Sequence, residues 1–341
     1  VSTTGTALVA LAIAAATAYV LAPVAIAVAR RTNFLDRPVG YKGHQEPTPY
    51  LGGATVGLAL LLATAVLADV DARLTAILGC AGGLALLGAV DDRWSVSPRR
   101  RIAAELVATS VLFVNGVHWA LFGEPVLDFA LTALWIVGIV NATNLMDNMD
   151  GTAATVVGVS GAGIGALALI NGRSAIAITS FALTGGCLGF LPRNLARPAR
   201  LFLGDGGSMP LGFLIAALAM SSGPRSGVAF LVGAMLVGLP ILDTTLVSVS
   251  RVRRGLTVVT AGRDHLTHRL LGRVGSPRKV CFVLFAAQGL LVLLALVSDQ
   301  AGQAAVILTA GVLAAAGIAT MVLLDSPASR RALEGAASSR P

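Results

Sequence analysis

LTALWIVGIVNATNLMDNMDGTAATVVGVSGAGIGALALI, residues 131–170, is the stretch on which the fold turns. Two apolar runs, parts of windows at about 128–143 and 152–170, flank a connection that carries Asn141, Asn144, Asp147 and Asp150 and no basic residue. Each window is long enough to cross roughly 30 Å of hydrocarbon. Polar residues spaced three apart share one face if the segment stays helical. A carboxylate beside lipid is expensive, so two amides and two carboxylates at the end of a span mark a functional site by default.

Outward from this stretch, similar windows fall at about 5–29, 51–68, 74–90, 101–116, 175–191, 208–222, 227–249, 279–297 and 303–324. The 341-residue chain is 55% hydrophobic and 12% charged, with a mean hydropathy of +0.81. A soluble domain of this length could not bury so much apolar surface. The expected fold is an all-α polytopic membrane protein of about 11 transmembrane helices. Residues 1–324 are expected to form a single integral-membrane catalytic domain, and 325–341, rich in Ala, Ser and Arg, a disordered cytoplasmic tail. The first window has no basic residue before it and Arg30 and Arg31 behind it. A cleaved signal peptide shows the reverse order, so this window reads as a retained span with its N-terminus outside.

Orientation follows from the basic residues. Of the 25 Lys and Arg, all but Arg73, Arg173 and Arg225 fall on one side of the predicted spans. That side is expected to be cytoplasmic, and the C-terminus lies on it. The net charge of +8 is spread over these loops, with no basic stripe interleaved with aromatics, which argues against nucleic acid as a partner. Cys80, Cys187 and Cys281 lie inside apolar windows and read as buried thiols, not as disulfides or metal ligands.

Asp91, Asp92, Asp147, Asp150 and Asp205 all fall on the cation-rich side. Carboxylates and cations together at one membrane face point to a metal-assisted site for a phosphorylated substrate. Five segments carry this chemistry. The loop DRPVGYKGHQEPTPYLGG, Asp36 to Gly53, presents Lys42 and His44, although a solvated basic loop would look the same. Asp91 and Asp92 close the third window at a helix C-terminus, where the macrodipole disfavours anions, so a cation is expected to offset them. The Asn141–Gly151 segment is third. The fourth, FLPRNLARPARLFLGDGGSMPLG from Phe190 to Gly212, sets Asp205 among glycines before a new span. Glycines let backbone N–H groups approach an anion, and a helix N-terminus favours phosphate. Asp205 is therefore the expected ligand for magnesium, which binds through few carboxylates plus phosphate oxygens. The fifth segment, Pro240 to Leu271, offers Arg251, Arg253 and Arg254 as phosphate clamps and His265 and His268 for phosphate contact or proton transfer. Two histidines without a third ligand do not make a zinc site. Asp243, in the apolar part of the ninth window, reads equally as a structural or a functional carboxylate.

Taken in this order, the five segments resemble the polyprenyl-phosphate N-acetylhexosamine-1-phosphate transferases. That superfamily includes phospho-MurNAc-pentapeptide translocase and the UDP-GlcNAc:undecaprenyl-phosphate GlcNAc-1-phosphate transferases. The resemblance covers roughly residues 30–275. It implies that Lys42 and His44 are the basic pair of the first loop and that Asp91 and Asp92 are the family's aspartate pair, followed by Arg101. Asn144, Asp147, Asp150 and Gly151 match the NLxDGxDG segment, and Asp205 the magnesium-binding aspartate of FxGDxGS. Phe202 and Asn194 match positions implied to stack on and hydrogen-bond uracil. His265 and His268 match the first and last histidines of HxHH, a form closer to the GlcNAc-1-phosphate branch. The chain departs from the pattern at Thr267, for the middle histidine, at Asn148, for a glycine of NLxDGxDG, at Glu105, for a glutamine, and at Tyr41, for an arginine.

The implied reaction is transfer of a sugar-1-phosphate, N-acetylhexosamine-1-phosphate in the family, from a UDP-sugar to polyprenyl phosphate (undecaprenyl or decaprenyl). It yields polyprenyl-diphospho-sugar and UMP at the cytoplasmic face of the plasma membrane, and initiates a cell-envelope glycan. The expected catalytic set is Lys42, Asp91, Asp92, Asp147, Asp150, His265 and His268. The expected substrate contacts are His44, Arg101, Asn141, Asn144, Asn194, Phe202, Arg251 and Arg263. Asp205, helped by Asp150, is expected to hold Mg2+, with Mn2+ as an alternative. A homodimer is compatible with this reading. A transporter for an anionic substrate would place ionisable groups at mid-membrane in broken helices, and a non-catalytic relative would keep the fold alone; both stay as alternatives.

Overall fold

A computed structural model describes residues 2–37, 46–257, 262 and 264–324. Among them the chain is all-helical apart from one short antiparallel pair, β1 (Leu35–Asp36) with β2 (Thr48–Pro49), at the ends of the first loop. The helices are α1 (Thr3–Arg31), α2 (Gly52–Leu67), α3 (Ala72–Trp94), α4 (Pro98–Val114) and α5 (Pro125–Met146). They continue with α6 (Thr152–Ile170), α7 (Ser174–Asn194), α8 (Asp205–Ser221), α9 (Gly227–Leu236) and α10 (Gly238–Arg253). The last three are α11 (Leu266–Val274), α12 (Pro277–Ala301) and α13 (Gln303–Leu324).

Every predicted span is helical, but not every helix is a span by its own length. Seven helices are long and apolar enough to cross a membrane: α1, α3, α5, α6, α7, α12 and α13. The pair α9 and α10 makes an eighth if counted as one, and it is bent by 80°. The continuous ninth window thus breaks at Val237, between two short helices. With 16 to 17 residues, α2, α4 and α8 are about 24–26 Å long at 1.5 Å per residue, short of the hydrocarbon core. The protein is a multi-pass membrane protein, with seven or eight helices among the described residues long and apolar enough to span.

Helix α8 is the centre of the bundle. Its residues from Gly207 to Met220 are all buried, and α2, α3, α5, α6, α7 and α9 surround it. Apolar all round, it can only be an inner helix. On one flank, α1 lays a stripe of Ala7, Ala10, Ala14, Ala18 and Ala22 against α7. The axes approach so closely that a Cβ on Gly189 would collide with the Ala15 carbonyl. Lipid gives helices no hydrophobic reason to associate, so small residues that permit close van der Waals packing take over that role. The outer faces of α12 and α13 carry exposed Phe282, Phe285, Leu308 and Leu323, as lipid contact requires. The C-terminal end of α3 and the N-terminal end of α8 meet at one end of this bundle, and the site is built there.

Candidate active site

The site begins with one helix capping another. The N–H groups of Asp205 and Gly206, at the start of α8, donate to the two carboxylate oxygens of Asp92 at 2.9 and 3.0 Å. An anion at the end of α3 opposes that helix's dipole, but the N-terminus of α8 favours it. Gly88, one turn earlier in α3, permits the approach: a Cβ there would strike the Asp205 carbonyl. Asp91 is offset differently. Its Oδ2 pairs with Arg101 Nη1 at 3.0 Å, and its Oδ1 accepts the Val96 N–H at 2.6 Å. The cation expected beside the aspartate pair thus serves Asp91, and a helix terminus serves Asp92.

Arg101 and Asn144 gather the rest. Arg101 Nη1 also lies 3.4 Å from Asp205 Oδ2, and its Nη2 donates to Asn144 Oδ1 at 2.8 Å. Asn144 Nδ2 donates to Asp205 Oδ1 at 2.5 Å and to Ser208 Oγ at 2.9 Å. These bonds draw α3, α4, α5 and α8 to one point. The Asp205 side chain remains 32% exposed against 8% for Asp91, so Asp205 is the one open to an incoming ligand. Asn141 stands a turn deeper, where it donates to Glu105 Oε2 at 2.7 Å and to the Val137 carbonyl. It supports the site from behind, together with fully buried Glu105.

Asp147 caps the end of α5, half-buried. Burial, then repulsion from Asp205, Asp92 and Asp150, pushes its carboxyl well above the usual carboxylate range. No side-chain hydrogen bond to it occurs among the described residues. Asp91 and Asp205 share the Arg101 guanidinium, and Asp92 and Asp147 stand near Asp205, so carboxylates outnumber the one cation that reaches them among the described residues. No three His, Cys, Asp or Glu side chains among the described residues stand close enough to hold an ion alone. Carboxylate oxygens are donors of the kind a hard cation such as magnesium takes, its other ligands being waters and phosphate oxygens.

Two loops wall the site. Gly52 and Gly53 donate to the carbonyls of Phe202 and Leu203, and Phe202 donates to Pro49, so residues 49–53 and 202–203 run together. The rings of Phe34, Tyr50 and Phe202 form a chain with centroids 5.9 and 6.4 Å apart. Burial, then the Asp36 carboxylate, pushes the Tyr50 phenol far up. Sequence reasoning did not single out Tyr50; its place just before the glycines of the first loop was the available signal. Asn194 departs from the implied contact with uracil. It is buried, its Oδ1 accepts the Gly151 N–H at 2.5 Å and its Nδ2 donates to the Leu201 carbonyl at 2.9 Å. Both ends of the amide therefore tie loops together.

The basic and histidine segment is also knitted into the protein. His265 is buried, with Nδ1 2.9 Å from Asp243 Oδ2. The other oxygen of Asp243 caps α11 by accepting the Leu266 N–H at 2.6 Å. His265 is therefore a structural partner of Asp243, and not a side chain open to substrate as expected. Asp243, left open by the sequence, is a paired carboxylate. Arg251, expected on a phosphate, is buried and grips Asp264 through Nε and Nη2 at 3.0 and 2.8 Å. Arg254 adds a third bond to Asp264 at 2.6 Å. Burial raises the Asp264 carboxyl, but these two guanidiniums outweigh it and hold it at about 2. His268 is half-buried in the first turn of α11, and Asp150 half-buried in the acidic loop. Lys42, His44, Tyr41 and Arg263 lie outside the described residues, as does the 325–341 tail.

Known proteins similar to this chain name its family. The glycosyl transferase family 4 model matches residues 74–223, from α3 through α8. The chain is similar to the decaprenyl-phosphate N-acetylglucosaminephosphotransferase of Mycobacterium tuberculosis, at 32% identity over 362 aligned positions that cover 93% of this chain and 89% of the relative. The Mycolicibacterium smegmatis protein of the same name is 31% identical, covering 86% and 81%. The undecaprenyl-phosphate alpha-N-acetylglucosaminyl 1-phosphate transferase of Escherichia coli K12 is 28% identical, covering 75% and 74%. With a matching family model across residues 74–223 and a relative 32% identical over 93% of this chain, the chain belongs to glycosyl transferase family 4, in the GlcNAc-1-phosphate transferase branch of the polyprenyl-phosphate N-acetylhexosamine-1-phosphate transferases.

Proposed function

We propose that this glycosyl-1-phosphate transferase moves N-acetylhexosamine-1-phosphate from a UDP-sugar to polyprenyl phosphate, with Mg2+, at the cytoplasmic face of the plasma membrane. Residues 1–324 act as one catalytic domain. The observation that carries the reading is the meeting of Asp91, Asp92, Asp147 and Asp205 around Arg101 and Asn144 at one end of the bundle. The acids and their supports come from α3, α4, α5 and α8, the region the family model spans.

The chemistry follows from charge. An oxygen of the lipid phosphate attacks the phosphorus that bears the sugar. The bond from that phosphorus to the bridging oxygen breaks, the bridging oxygen stays with UMP, and a new diphosphate joins lipid to sugar. Two anions must meet, so neutralisation is the main task. Magnesium bound at Asp205 and Asp150 would supply charge neutralisation for the diphosphate. Arg101 contributes a fixed guanidinium and holds Asp205 in place. Asp92 takes the Asp205 and Gly206 N–H groups and so orders the start of α8, which departs from the expectation that these glycine N–H groups face phosphate. A phosphate monoester has a second pKa of about 6, so the attacking group needs little help near neutrality. Lys42, His44, Arg263 and His268 complete the cationic side. The acids cluster at one end of the bundle and not at mid-membrane, which favours this reading over a transporter.

The test is UMP release by purified protein supplied with magnesium, undecaprenyl phosphate and a panel of UDP-sugars. The expected result is UMP only when both the lipid and one N-acetylhexosamine donor are present. UMP release without lipid, or none with any donor from folded protein, overturns the reading.

A further inference from the structure

The two positions at which the acidic loop and the histidine segment depart from the family pattern, Asn148 and Thr267, touch each other. The Thr267 hydroxyl donates to Asn148 Oδ1 at 2.6 Å, across 119 residues of sequence. Thr267 is fully buried in the first turn of α11. Asn148 is anchored at its other end, where Nδ2 donates to the Leu145 carbonyl at 2.6 Å, in the last turn of α5. A glycine at 148 would have no side chain to offer. The threonine gives its one hydroxyl proton to the asparagine, so neither group can donate it to a ligand.

The pair completes a chain of bonds. From the end of α5 it runs through Asn148 and Thr267 into α11, whose N-terminus is held in turn by Asp243 of α10 through Leu266 and His265. The acidic loop that carries Asp147 and Asp150 and the helix that carries His268 thereby become one unit. A buried hydroxyl deprived of its acceptor pays its full desolvation penalty, so the two side chains stand or fall together.

We propose that Asn148 and Thr267 form a latch: two positioning residues that fix α11 against the acidic loop and so set where the donor sugar sits. The consequence for the donor rests on the proposed function; the latch itself does not. Two measurements on the full-length protein in detergent separate them. The first is amide hydrogen exchange across α11 in Asn148→Ala, Thr267→Val, the double variant and Thr267→Ser. Each of the first two is expected to speed exchange in α11 by about 10-fold, the double variant by no more than either single one, and Thr267→Ser to match the wild type. Unchanged exchange, or effects that multiply in the double variant, overturns the latch. The second is the KM for the UDP-sugar, expected to rise about 10-fold in each single variant and no further in the double, with kcat changed much less. Faster exchange with an unmoved KM overturns the positioning role. Wild-type protein that releases no UMP contradicts the proposed function alone, and the exchange measurement still decides the latch.

Discussion

Two regions of this molecule gather acids with bases, and they are balanced in opposite ways. At the junction of α3, α5 and α8, Asp91 and Asp205 share Arg101, Asp92 caps the start of α8, and Asp147 is left without a side-chain partner among the described residues. At the junction of α10 and α11, each acid is saturated: Asp243 by His265 and the Leu266 N–H, Asp264 by Arg251 and Arg254. The first has the charge of a site waiting for cations and phosphates. The second has the charge of a scaffold. In the second region the partners that His265, Arg251 and Arg254 find in the fold are acids of the same region.

The contrast can be broken most sharply at Asp92. Asp92→Ala removes the cap from the Asp205 and Gly206 N–H groups. Turnover is expected to fall by about 1,000-fold, while loss of the cap costs about 1–2 kcal/mol of stability. UMP assays beside thermal unfolding separate the two effects. Asp243→Asn is expected to act in the reverse proportion. It leaves His265 buried beside a neutral amide and weakens the cap of α11, costing about 3 kcal/mol, seen as a lowered unfolding midpoint. If Asp243→Asn kept full stability and lost turnover, the scaffold reading would fail.

The Asp264 carboxyl sharpens the comparison through pH. It ordinarily titrates near 3.8 and is held at about 2 by its two arginines. A lowered folded-state pKa stabilises above the unfolded value and is lost as pH falls. The difference in unfolding midpoint between wild type and Asp264→Asn is therefore expected to be full above pH about 4 and to shrink toward pH about 2. A difference that grows in acid contradicts the pairing. The smallest effect belongs to Cys80→Ser, far from both regions, where Cys80 Sγ lies 3.8 Å from the Ala108 carbonyl. Activity should stay unchanged and stability should move by less than about 0.5 kcal/mol.

The spans and the acidic residues were legible because both are local signals. Hydropathy windows found every long helix, and Asp91, Asp92, Asn144, Asp147 and Asp205 stood out by sitting where apolar runs end. What the sequence could not show are pairings between distant segments. The cap that joins Asp92 to Asp205 spans 113 residues. The burial of His265 and Arg251 depends on Asp243 and Asp264 being brought to them by the turn between α10 and α11. The 80° bend after Leu236 is followed by Gly238 and Pro240, whose missing N–H leaves the Leu236 carbonyl to accept from Gln288 Nε2; apolar residues on both sides made the window look continuous all the same. The engagement of both ends of Asn194 is equally invisible in a motif, which records residue types and not partners.

The most direct test of the central claim, that the acids gathered at the start of α8 are the reactive centre, is UMP release across a magnesium series by wild-type protein and Asp205→Ala. The account predicts wild-type turnover that rises with magnesium to a plateau, and a variant inactive at every concentration. Turnover by Asp205→Ala equal to the wild type, with the same dependence on magnesium, would contradict it.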